Sequence, residues 1–117
     1  MTIVLLVIAW LQIAAPAAQG NSGPQGNIET GKQLYMKHTC YYCHGTAGQG
    51  GGSGARVAAI ARNAQSFIRY VRRPNGQMPA FTEKILSDQE LTDIFAFVRS
   101  LPAAKAASDI PLLRSLK

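Results

Sequence analysis

The densest grouping of reactive side chains is Cys40-Tyr41-Tyr42-Cys43-His44, which holds both cysteines of the chain. Two thiols two residues apart, with an imidazole directly after the second, form the pattern that attaches a c-type haem. Thiols at this spacing reach the two vinyl groups of one porphyrin. His44 is then carried beneath the ring, where its imidazole binds the iron. The remaining axial position calls for a second donor, and Met78 in Gly76-Gln77-Met78-Pro79 is the candidate.

Each donor has a rival. His38 is the only other histidine, but it lies two residues before Cys40 and reads as a helix-end or surface residue. Met36 precedes the motif closely and belongs on the His44 side or facing out, whereas Met78 lies 34 positions after His44. That length lets the chain travel round the ring edge. A disulfide between Cys40 and Cys43 would close a tiny loop and stabilise little. Two cysteines and two histidines at these spacings do not make a zinc site. A thioredoxin-like thiol–disulfide protein would need strand–helix alternation that the chain lacks.

The elements that must position these groups are helical. Residues 28–39 read as a short helix ending at the motif, started by Asn27 or Thr30. Gly31 and Tyr35 share one face, extended by Leu34, and a glycine there lets another helix approach closely. Gly45 to Arg56 is a Gly-rich loop with six glycines. No strand precedes it and no Lys-Ser/Thr ends it, so it is not a phosphate cradle. A backbone carbonyl near Ala55 is expected to accept the second ring N–H of His44, as ligand histidines require. Ala64 to Arg72 carries Phe67, Ile68 and Val71 at helical spacing, with Asn63 as cap and Pro74 as stop. Asn75 to Lys84 is a loop in which Pro79 stiffens the backbone after Met78 and Phe81 covers the haem edge. Ser87 to Leu101 is the clearest helix, with Ser87 and Glu90 as a capping box and Leu86 and Leu91 as its hydrophobic staple. Its stripe of Leu91, Ile94, Phe95 and Val98 faces the core, and Phe97 is expected to pair with Tyr35.

Composition bounds the rest. The 117 residues allow one small domain, which a large apolar cofactor would help to fill. The net charge is +6, and every Lys and Arg lies at Lys32 or later. No basic run is interleaved with stacking aromatics, so nucleic acid is not the partner. An acidic protein is. Arg56, Arg62, Arg69, Arg72 and Arg73 lie in a stretch without an acidic residue. They form a solvated face, a docking surface, or partners for haem propionates, which suit Arg geometry. Residues 1–18 read as a secretory signal: an apolar run, shorter than the roughly 20 residues of a spanning helix, ending in Ala15-Pro16-Ala17-Ala18. No Lys or Arg precedes it, and an uncleaved membrane anchor is the alternative. Residues 19–27 read as a linker, 28–102 as the domain and 103–117 as a tail. In the tail, Ile110-Pro111-Leu112-Leu113 either straps onto the domain or engages a partner.

From about Ile28 to Leu101 the chain resembles a class I c-type cytochrome, specifically a small bacterial monohaem one. The resemblance rests on Gly31 and Tyr35, the Cys40–His44 motif, the Gly-rich loop, Gly76-Gln77-Met78-Pro79, and a last helix with Ile94 and Phe97. It implies an all-α fold of three to four short helices and Gly-rich loops around one covalently bound haem c. The first and last helices would cross at Gly31, with thioethers at Cys40 and Cys43 and His44 and Met78 on the iron. Family members often have Pro where Ala55 stands; the carbonyl survives that change, but the loop loses stiffness. The implied role is a periplasmic electron carrier, free or as the cytochrome subunit of a dehydrogenase or respiratory complex. Its partners would be acidic redox proteins: a dehydrogenase donor and an oxidase or other cytochrome acceptor. With both axial positions filled it would not be an enzyme. A haem enzyme or gas sensor, in which Met78 is displaced, is the alternative.

Overall fold

The computed structural model describes residues 25–116. The expected signal or anchor in residues 1–18 lies outside them. The described chain forms α1 (Ile28–Lys37), α2 (Cys40–His44), α3 (Ala64–Arg72), α4 (Asp88–Ser100), a 3-10 turn (Ala107–Asp109) and α5 (Pro111–Arg114). Four of these helices build the domain, and the fifth lies in the tail.

The helix boundaries follow from side-chain caps. Asn27 accepts the Thr30 N–H and starts α1, so Thr30 is the capped residue and not the cap. Asn63 accepts the Ser66 N–H and starts α3. At α4 the Ser87 hydroxyl accepts the Glu90 N–H while the Glu90 carboxylate accepts the Ser87 N–H, a reciprocal capping box. The backbone and hydroxyl donors of Ser87 hold the Glu90 carboxyl below the usual carboxylate range. Leu86 and Leu91, the two staple positions, are both almost fully buried.

The principal packing is α1 against α4. A methyl group on Gly31 would overlap the Asp93 carbonyl of α4, so the two backbones touch there with nothing between them. Tyr35, one turn on, meets Phe97 edge to face with ring centroids 5.3 Å apart. The contact begins before α1: the Asn27 N–H donates to the buried Asp93 carboxylate at 2.8 Å. A side chain on Gly26 would overlap the Thr92 carbonyl. Packing therefore starts at Gly26, inside the stretch that the sequence assigns to a linker. α3 lies against α4 through Phe67 and Phe95, 5.5 Å apart. Leu34, Val71, Ile94 and Val98 complete the buried cluster.

The tail does not strap onto the domain. Its 3-10 turn and α5 touch each other, and Leu112, Leu113 and Leu116 are exposed. Among the described residues no helix is long and apolar enough to cross a membrane.

Gly31→Ala is expected to lower stability by about 1–3 kcal/mol, the usual cost of overpacking a close contact. Lys32→Ala on the exposed side should change it by less than about 0.5 kcal/mol. Denaturant midpoints compare the two, and equal midpoints would contradict the crossing.

Candidate haem site

The haem motif is itself a helix. Thr39 adopts a left-handed backbone, φ 56°, which ends α1 and starts α2 in a new direction. Five residues are too few for a helical periodicity to be read from the sequence. Within one turn, α2 places Cys40, Cys43 and His44 on the wall of a single cavity of about 550 Å³. Met78 reaches the same cavity from the loop before α4. Phe67 and Val71 of α3 and Ile94 and Val98 of α4 supply apolar wall.

The imidazole of His44 is aimed by its second nitrogen. Nδ1 lies 2.6 Å from the Ala55 carbonyl oxygen. A carbonyl only accepts, so Nδ1 carries the proton and donates. Neutral His44 therefore presents the lone pair of Nε2, the form that binds a metal. The Gly-rich loop brings that carbonyl back. Gly45, Gly48 and Gly50 have positive φ, and the Gly50 N–H donates to the His44 carbonyl at 2.7 Å. A methyl group on Gly54 would come within 2.8 Å of both the Cys43 carbonyl oxygen and His44 Nδ1.

Tyr35 has a second task that its packing role hides. Its hydroxyl donates to the Gly45 carbonyl at 2.7 Å and pins the start of the loop. Burial, with the nearby Cys40 adding to it, pushes its pKa up to about 12, so it stays a donor. A buried tyrosine needs such a partner, and that is the signal that would have found it.

Cys40 and Cys43 are not joined to each other in a disulfide. Burial pushes the Cys40 thiol up to about 11, with Cys43 contributing in the same direction. Thiol–disulfide exchange uses a lowered pKa, so this thiol is poorly suited to it.

His38 is not simply a surface residue. It caps the end of α1, lines the cavity, and sets its ring edge-on to Phe81 at 6.3 Å. Phe81, expected at the haem edge, is on the cavity wall. Met36 is exposed and is not on that wall. Of the five arginines, Arg56 and Arg62 line the cavity. The Arg62 guanidinium lies over the Tyr70 ring, 5.1 Å from its centroid.

The cavity fits a haem by size, by its apolar wall and by its donors: two cysteine sulfurs, an imidazole and a thioether. No three His, Cys, Asp or Glu side chains cluster as a metal site among the described residues. An iron here would have to arrive with its own equatorial ligands, as a porphyrin supplies.

Residues 26–98 match the family described as cytochrome C oxidase, cbb3-type, subunit III. The chain belongs to this family. It is a c-type cytochrome domain with an all-α fold, it carries covalently bound haem c, and its chemistry is haem-based electron transfer. No curated protein and no solved structure matches the chain.

Gly54→Ala is expected to push the His44 ring off the Ala55 carbonyl and cost about 1–3 kcal/mol of stability. The hydrogen-bonded Nδ1 proton of His44 should then be lost from the downfield NMR spectrum. A retained resonance with an unchanged melt would contradict the packing described.

Proposed function

We propose that this cytochrome is an exported, periplasmic one-electron carrier, with Cys40 and Cys43 as the thioether attachments and His44 and Met78 as the axial ligands. The observation that carries the assignment is that one cavity wall collects these four side chains from α2 and from a loop thirty-odd residues later. Bound haem supplies an iron that gains and loses a single electron.

The protein's part is to hold and tune that iron. Ala55 fixes the His44 tautomer, so Nε2 is available. Met78 offers a soft sulfur, which favours the reduced state more than a second imidazole would. With both axial positions taken by side chains, no position is left for a substrate or for O2. Phe67, Val71, Ile94 and Val98 keep water from the ring and favour its less charged form. Arg56 and Arg62 bring cationic groups to the same wall, suited to the ring's carboxylates.

The net charge of +6 selects an acidic partner and a transient, steered encounter. The family description names an oxidase. A respiratory oxidase, or a cytochrome that feeds one, is the acceptor we propose, with a dehydrogenase as donor. Export rests on the apolar run and small-residue site of residues 1–18.

Met78→Ala is expected to keep covalent haem, lower the reduction potential and abolish the weak sulfur–iron absorption of the oxidised protein. An unchanged spectrum would remove Met78 from the iron. The rate of electron exchange with an acidic redox protein should fall steeply as salt shortens the screening length to about 10 Å at 0.1 M. A rate indifferent to salt would contradict the charge-steered docking.

A further inference from the structure

Arg72 stands apart from the other arginines of its stretch. Its side chain is 18% exposed, and its guanidinium reaches two elements at once. Nη1 donates to the Phe81 carbonyl at 2.8 Å, and Nη2 pairs with the Asp88 carboxylate at the start of α4. The Phe81 N–H donates in turn to the Val71 carbonyl at 3.2 Å. The Phe81 backbone is therefore held at both its N–H and its C=O by consecutive residues of α3. Met78 lies three residues before Phe81, inside the segment this closure defines.

We infer that Arg72 is a positioning residue for Met78: its fork ties the Phe81 carbonyl to α3 and to Asp88, and so holds the methionine loop closed over the cavity. The inference rests on the assignment of Met78 to the iron. Three features support it. The donor is a planar fork, which can serve a carbonyl and a carboxylate together; a lysine ammonium has no such fixed geometry. The Arg72 guanidinium is shielded while Asp88 is 60% exposed, so the holding contact is the half-buried bond to the Phe81 carbonyl, and the ion pair adds the smaller share that a surface pair gives. The segment between the two anchored ends is short, and anchoring Phe81 removes conformers in which the Met78 side chain points away. Gly76, with φ 71°, bends the chain ahead of Met78, and Pro79 limits it behind, so the remaining freedom lies toward Phe81.

The test is the displacement of Met78 by added imidazole in the oxidised holoprotein. It reads how often the loop opens. Arg72→Gln is expected to raise the apparent imidazole affinity by about tenfold, the size of one charge-assisted hydrogen bond. The sulfur–iron absorption should weaken and the reduction potential should fall. Arg72→Lys should lie between the two, and Asp88→Asn should give a smaller rise in the same direction. Arg69→Gln, on the same helix and hydrogen-bonded only to Ser66 Oγ at 3.1 Å, should match the wild type. A merely structural Arg72 would lower the global melt while leaving imidazole affinity and potential as in the wild type, and that outcome overturns the proposal. Should Arg72→Gln give no holoprotein, unchanged affinity in both Arg72→Lys and Asp88→Asn overturns it equally. A wild type without a sulfur–iron absorption would instead sink the Met78 assignment. A normal wild type with indifferent Arg72 variants would sink only the latch.

Discussion

A domain this small has only a marginal core of its own side chains, which a large apolar cofactor helps to complete. The helices leave a cavity of about 550 Å³ lined by core residues from every element of the domain. The α1–α4 crossing at Gly31 makes the solid side of the molecule. α2, α3 and two loops are arranged as walls around the cavity. The cofactor is thus part of the core, and the same contacts that fold the chain set the surroundings of the iron.

Function follows from how the walls differ. One side carries an imidazole whose Nδ1 proton is committed to a backbone carbonyl. Another carries a thioether on a loop, and the rest is mostly hydrocarbon, with Arg56 and Arg62 among the lining residues. Such an environment suits a cofactor whose charge changes by one unit. Thr39 holds a left-handed backbone that costs a non-glycine residue stability, and the glycines of the loop after His44 take the same region without that cost. They are concentrated beside α2, where the chain must turn sharply on both sides of the attachment site.

Much of this was legible in the sequence because its causes are local. The caps at Asn63 and Ser87 depend on residues three positions apart. Helical spacing puts Gly31 and Tyr35 on one face open to a close helix approach, and the family resemblance implies that the last helix is the one that crosses there. The Ala55 acceptor follows from what a ligand histidine must do with its other nitrogen. What escaped depends on contacts between distant residues. Nothing near Asn27 announces that its N–H will meet Asp93, 66 positions away. Nothing in an arginine-rich stretch distinguishes Arg72 until Phe81 and Asp88 are beside it. His38 is the helix-end residue that the sequence allows, and its place on the cavity wall shows only once α2 and Phe81 are beside it. The apolar tail residues had two equally good sequence readings, and their exposure removes the intramolecular one.

The most direct test of the account is the intact mass of the purified protein, measured after denaturation and organic extraction. A haem fixed through both Cys40 and Cys43 survives that treatment. The account therefore gives the mass of the mature polypeptide plus one haem, with the colour remaining in the protein fraction. The mass of the polypeptide alone, with the pigment extracted or never present, would contradict it.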